Sequence, residues 1–243
     1  MREQRINART LALIASFSSL YAISWNLNLF SIVGGKGSIT LASALAPTLG
    51  LILGPAVGSI VAIVGGLAGT LIFCSGALGP LSFLPGALAS LSSGLLLSGR
   101  RLETLIFYSA FLALLLVHPV GPLRLYPQFF LMHIAGLAII LASTKLNWRK
   151  LTARGLLSLW LLFLASLLVG HACGTLTFLA LYWPWVISSP SSWREIWRAV
   201  SYVYPVERAV MATLSTLFGV PALRAVKALK ADFYWLNSSR KQI

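Results

Sequence analysis

Few residues in this chain can hold or move a proton. Among 243 residues the acidic ones are Glu3, Glu103, Glu195, Glu207 and Asp232, and the histidines are His118, His133 and His171. General acid–base catalysis needs such groups held together, and no two of the five carboxyls stand at a spacing that would pair them on a helix face. Neither an H-E-x-x-H, a paired-aspartate phosphotransfer pattern nor a G-x-S-x-G turn occurs. The string Gly34-Gly35-Lys36-Gly37-Ser38 has Phe30 where a phosphate loop needs its first glycine, and Gly37 splits the lysine from the serine, so it reads as a flexible outer loop. The histidines are isolated from one another in sequence, and Cys74 and Cys173 are too few for a disulfide framework or a four-ligand zinc site. No metal and no cofactor is expected.

A second group of residues suits binding better than catalysis. Trp25, Asn26 and Asn28 close the first apolar run, Tyr126 and Gln128 open the sixth, Tyr182, Trp183 and Trp185 leave the seventh, and Glu207 and Arg208 open the last. Convergent polar groups among aromatic walls are what a small-ligand pocket requires; the alternative is the aromatic belt that membrane interfaces carry without binding anything. Glu207 and Arg208 weigh more, because ionisable groups next to hydrocarbon are costly and face a partner, a cavity or the interface. Pro205 just ahead of them signals a helix start, where an acidic side chain would also suit the helix dipole. The substrate-binding set expected from the sequence is Trp25, Asn26, Asn28, Tyr126, Gln128, Trp183, Glu207 and Arg208.

The elements that would carry these groups are membrane spans. The chain is 58% hydrophobic and 10% charged, against roughly 25% charged in a soluble domain. A crossing takes about 20 apolar residues, and candidate runs lie at about Thr10 to Ile32, Ile39 to Leu53, Pro55 to Cys74, Pro80 to Leu97, Glu103 to Val117, Tyr126 to Ser143, Leu156 to Trp183 and Val206 to Val220. The expected fold is all-α: a polytopic transmembrane helix bundle of about six to eight spans, one integral membrane domain over residues 1–243, with no soluble domain. The formal charge of +14 sits between apolar runs and at the termini, where anionic lipid and the insertion machinery select it, so a nucleic-acid partner is not expected and membrane lipid is.

Threading these runs back and forth groups the N-terminal arginines, Arg100-Arg101, the Lys145 to Arg154 cluster and the tail cations Arg224, Lys227, Lys230, Arg240 and Lys241 on one side. By the positive-inside rule that side, with both termini, is cytoplasmic in a multi-pass cell-membrane protein. The other side receives Lys36, Arg124 and the segment Ser188 to Pro205, whose Trp193, Arg194, Trp197 and Arg198 suggest a short amphipathic piece at the outer interface. Ile39 to Leu53 is short for a crossing and ends at Gly54-Pro55, where a helix ends or kinks. Leu156 to Trp183 is long, so it should tilt, protrude or break near Gly170 to Gly174. On the first helix Ala8, Ala12 and Ser16 form a strip of small residues that lets another helix approach, inside this chain or from another subunit.

Thr48-Leu49-Gly50-Leu51-Ile52-Leu53-Gly54-Pro55-Ala56-Val57-Gly58, the Gly-rich run after it, and Phe83-Leu84-Pro85-Gly86 resemble the substrate-binding S-components of energy-coupling factor transporters. The last run, from Pro205-Val206-Glu207-Arg208 to Thr216-Leu217-Phe218-Gly219-Val220-Pro221-Ala222-Leu223-Arg224, is similar to that family's closing helix. The resemblance covers about half of the chain and rests on Gly, Pro and apolar patterns. It implies a substrate-capture subunit of a vitamin-like micronutrient uptake system, not itself an enzyme, working with a transmembrane coupling subunit and cytoplasmic ATPases that Ala8, Ala12 and Ser16 would face. The family commonly has six spans, and its cobalt and nickel members begin with a histidine motif where this chain has Met1-Arg2-Glu3, which disfavours metal uptake. Two other classes compete. One is a membrane-embedded enzyme built on Cys173 with His171 and Arg208, loosely resembling the exosortase and archaeosortase transpeptidases, although those place a histidine after the cysteine and arginine and no histidine follows Cys173 here. The other is a non-catalytic membrane scaffold subunit.

Overall fold

A computed structural model describes residues 8–34, 38–74, 76, 78–146 and 152–228. Arg2, Glu3, Arg5, Lys36, Arg149 and Lys150 of the Lys145 to Arg154 cluster and the tail with Lys230, Asp232, Arg240 and Lys241 lie outside the described residues. The chain is helical nearly throughout. In order come α1 (Ala8–Ser24), β1 (Asn28–Ser31), β2 (Ser38–Thr40), α2 (Leu41–Phe73), α3 (Phe83–Leu97), α4 (Arg101–Val117), the single turn α5 (Pro122–Leu125), α6 (Phe130–Ala142), α7 (Ala153–Tyr182) and α8 (Pro190–Ala228). Five helical stretches are long and apolar enough to cross a membrane: Leu41–Phe73, Gly79–Leu97, Pro127–Lys145, Arg154–Tyr182 and Pro190–Ala225, with Thr10–Ser24 a shorter apolar helix. This is an all-α helical bundle of membrane-spanning type.

The helix α2 is two helices in one. Gly54 has φ 78° and ψ 177°, a positive φ that glycine adopts without steric cost, with the extended ψ that a following proline imposes. Pro55 then opens the second arm, where its missing N–H costs nothing. A Cβ placed on Gly58 would meet the carbonyl oxygen of Leu49 at 2.8 Å, whereas nine residues of straight helix advance about 13.5 Å. The chain therefore folds back at Gly54-Pro55, and arms 41–53 and 55–73 lie side by side. Their order relative to α1 agrees: Ser18 meets Gly65, Tyr21 meets Gly66 and Trp25 meets Gly69, so α1 and the second arm run parallel. The break expected between the second and third apolar runs is thus a helical hairpin.

The fold-back is held by α3 and α8. Gly94 of α3 lets Pro55 approach to 2.5 Å of where a Cβ would be, the Ser93 hydroxyl donates to the Pro47 carbonyl, and the Ser215 hydroxyl of α8 donates to the Ala44 carbonyl at 2.5 Å. In a bundle surrounded by lipid tails such close approaches and hydrogen bonds replace the hydrophobic drive, at about 0.6 kcal/mol per bond on average. Arg101 Nη1 donates to the Leu141 carbonyl at 2.8 Å, which ties the start of α4 to the end of α6. Gly54-Pro55, Arg100-Arg101, Lys145 and Arg154 accordingly share one end of the bundle, and the β-hairpin, Arg124 and the start of α8 share the other.

Three expectations are corrected. The first apolar run does not stay helical to Ile32: α1 stops at Ser24, and Asn28–Ser31 pairs antiparallel with Ser38–Thr40, because the Asn- and Gly-rich connection cannot continue a helix. Of the three ways the long seventh run could fit, tilting, protruding or breaking near Gly170 to Gly174, the break does not occur, since α7 is continuous from Ala153 to Tyr182. There Gly170 fits against the Pro85 carbonyl and Gly174 against the Pro85 ring; their missing side chains serve a helix crossing. Pro205 does not start a helix but lies inside the 39-residue α8, so Glu207 is not in a first turn. The amphipathic piece that opens α8 faces the protein: Trp193 and Trp197 are 0% and 1% exposed.

Candidate functional site

The bundle end opposite the basic loops contains a cavity enclosing about 940 Å³ of atom-free space, counting its opening. Each wall is one face of an element. On α8, Ile196, Val200, Tyr204 and Arg208 recur every fourth residue, which aligns them on one stripe and carries the wall about 18 Å along the axis. On α7, Gly170, His171, Gly174, Thr175 and Phe178 do the same, and on α3, Pro85, Gly86 and Ala89. The fourth side is Trp25 at the end of α1, the β-hairpin residues Ile32, Val33, Ile39 and Thr40, and Ser43. The hairpin is fastened across the end: Tyr204 Oη accepts from the Val33 backbone N–H at 3.3 Å.

The polar groups lie among apolar walls. Arg208 is the one charged residue among the described lining residues and is 7% exposed. Its guanidinium carbon lies 5.2 Å from the Tyr204 ring centroid, a cation–π distance. Nη1 reaches Met211 Sδ at 3.4 Å, Nη2 is 3.9 Å from Glu207 Oε2, and Nε has no hydrogen-bond partner. His171, 6% exposed, packs its ring against the same Tyr204 ring at 5.0 Å, and neither of its nitrogens has a partner. Thr40 Oγ1 is likewise without one. Buried polar groups are nearly always satisfied, and here three residues on three different walls of one cavity carry unpartnered polar atoms that a polar group in the cavity could bond. Pro47, having no N–H, also deprives the Ser43 carbonyl of its usual helical donor at the cavity edge.

Behind the wall stands an aromatic column. Trp193 stacks on Trp197 at 5.4 Å and 28°, Trp197 meets Phe129 at 5.4 Å, and Phe129 meets His133 at 4.8 Å and His171 at 5.8 Å. The indole N–H groups are satisfied by carbonyls, Trp193 by Ile187 and Trp197 by Val120, both at 2.9 Å. These contacts tie α6, α7 and α8 together at this end of the bundle.

Of the eight residues expected to bind substrate, Trp25 and Arg208 line the cavity. Glu207 is buried beside Arg208 but is not part of the wall, and Trp183 packs against the main core. Asn26, Asn28 and Gln128 are exposed. Tyr126 donates to the Tyr202 hydroxyl at 3.1 Å on the surface, and that bond raises its phenol above the ordinary tyrosine value. Tyr204, Trp197, Phe178 and Thr175 were not among the expected binding residues, and His171 was named only with Cys173 and Arg208 in the competing enzyme reading. Their signal was present as the four-residue repeat through Pro205 on α8 and the Gly170–Phe178 stripe on α7, but a proline read as a helix start hid the first. Cys173 is buried on α7 and does not line the cavity that His171 and Arg208 share. Among the described residues no three His, Cys, Asp or Glu gather where a metal could be held. Comparison with family models, curated proteins and solved structures finds no match to this chain.

Proposed function

We propose that this chain is the substrate-capture subunit of a membrane uptake system of the energy-coupling factor type, taking a vitamin-like small molecule from the outer side. The observation that carries the reading is the cavity: open at one side, mostly apolar-walled, provided with unpartnered polar groups on Arg208 and His171, and set at the end opposite the cation-rich loops. If the cation-rich end is cytoplasmic, as the positive-inside rule requires, the cavity opens to the outside. The fold-back at Gly54-Pro55 then makes eight crossings with both termini cytoplasmic in the cell membrane. The chain performs no chemistry on its ligand; a transmembrane coupling subunit and cytoplasmic ATPases supply the work. Ala8, Ala12 and Ser16, all on the exposed face of α1, are the surface offered to that coupling subunit.

The test is mass spectrometry of small molecules that copurify with the detergent-extracted protein, compared with an Arg208→Gln variant prepared in parallel. A stoichiometric small molecule that the variant loses is the expected result. Recovery of no small molecule, with no radiolabelled uptake in cells that express the chain, would remove the reading.

A further inference from the structure

We infer that the cavity takes a small monocarboxylate with a ring-bearing apolar body, its carboxylate held by Arg208 and His171 and its body lying between Phe178, Trp197 and Trp25. This rests on the capture reading above and specifies its substrate class.

The charge argument comes first. A guanidinium 93% withdrawn from solvent is costly unless compensated, and the compensation built into the chain is incomplete. Glu207 stands 3.9 Å from Nη2, beyond the 2.7–2.9 Å of a charge-assisted bond, while Nε donates to nothing and Nη1 meets a thioether. Arg208 nonetheless lines the cavity and Glu207 does not. The planar fork of Nε and an Nη is the geometry that binds a carboxylate with two parallel bonds. An imidazole without a partner packs on the same Tyr204 ring and lines the same cavity, and it can donate to the same head group.

Size and polarity restrict the class further. With one cation on the wall and no second basic side chain among the described lining residues, a single negative charge is matched and a phosphate dianion is not. Above Arg208 the wall runs about 18 Å along α8 through Tyr204, Val200 and Ile196, facing Phe178, and offers ring faces and aliphatic groups with few donors. That stripe accepts a flat apolar body, while the hydroxyls of Thr40, Ser43, Ser82 and Thr175 lie on the other walls. The acid thus sits deep, on Arg208, with its body pointing to the β-hairpin.

The experiment is thermal unfolding of the full chain in detergent, followed by tryptophan fluorescence, with benzoate, 3-phenylpropionate, indole-3-propionate and octanoate, each beside its primary amide, and with inorganic phosphate. At least one ring acid is expected to raise the melting temperature by several degrees, its amide by less than half as much, and phosphate not at all. Ring acids should exceed octanoate; the reverse order would replace the ring-bearing body with an acyl chain. Arg208→Gln should weaken the best acid about tenfold or more while its amide binds as before. Amides that stabilise as well as acids, phosphate that stabilises as well as either, or an acid that binds Arg208→Gln unchanged would overturn the inference. Because the acid–amide comparison uses the unaltered chain, it stands even if the variant does not fold. A neutral or cationic compound recovered by copurification would remove the monocarboxylate and leave capture intact, whereas flat titrations together with no copurifying compound would remove both.

Discussion

His133 of α6 and His171 of α7 stack ring on ring, with centroids 5.3 Å apart and planes 11° from parallel. The two imidazoles differ in what they touch. His133 Nδ1 shares a 2.8 Å hydrogen bond with the Tyr108 hydroxyl of α4, while His171 faces the cavity beside Arg208. The stack therefore joins the Tyr108–His133 contact of α4 and α6 to a cavity-lining group on α7.

Replacing His133 by Leu should destabilise the protein by about 1–3 kcal/mol, because the buried Tyr108 hydroxyl would lose its 2.8 Å bond and keep only the 3.5 Å one to the residue-133 carbonyl. Acid binding should weaken by a smaller factor than in His171→Leu, since His133 acts on the ligand only through the ring it supports. Thermal unfolding and a titration with the best acid measure both. Unchanged stability, or a larger binding loss than in His171→Leu, would reverse the assignment of roles.

The fold-back at Gly54-Pro55 makes a sharp statement about accessibility. In a straight α2 spanning a membrane, Ala56 would lie near mid-depth; in the hairpin it lies at the same end as Arg101. Single cysteines at 56 and 101, on a background without Cys74 and Cys173, should both resist an impermeant maleimide added to intact cells and react after the cells are opened. A cysteine at 124 should react from outside. Labelling of 101 in intact cells would invert the topology, and a position 56 that never reacts would contradict the hairpin.

Legibility divides along physical lines. Span positions, the Gly54-Pro55 break and the grouping of basic loops were readable, because hydrocarbon length and charge placement act on local sequence. Arg208 was readable for the same reason, an ionisable residue in an apolar run. The partnership of His133, His171 and Tyr204 was not, since residues far apart in sequence meet only through the crossing of α6, α7 and α8. Pro205 misled because a proline inside a membrane helix is tolerated when neighbouring groups cover the freed carbonyl, and α8 runs on through it. The aromatics at span ends were half legible: Trp25 turns into the cavity, while Trp183 and Tyr126 join the core and the surface.

On α1 the small residues Ala12 and Ser16 point away from the bundle, whereas Ser18 and Tyr21 on the other face pack against the second arm of α2. Leucine at 12 or 16 should consequently leave the free energy of unfolding within about 0.5 kcal/mol of the parent, as surface substitutions do. It should reduce copurification with a coupling subunit while acid binding persists. A loss of stability of about 1–3 kcal/mol, the usual cost of overpacking, would show the strip to be internal packing instead.

Tyr204 joins the cavity's Arg208 and His171 to the β-hairpin. Its ring carries the Arg208 guanidinium and the His171 edge, and its hydroxyl accepts from Val33 N–H in the β-hairpin at 3.3 Å. Tyr204→Phe keeps the ring and deletes the tie, so the head-group contacts should survive while the hairpin loosens. A neutral hydrogen bond is worth about 0.5–1.5 kcal/mol net, which corresponds to opening the hairpin roughly 2- to 12-fold more often. Dissociation of the bound acid should accelerate by that factor with little change in association, and amide exchange at 28–34 should quicken in step. An unchanged off-rate would mean that ligand leaves by a route the hairpin does not cover.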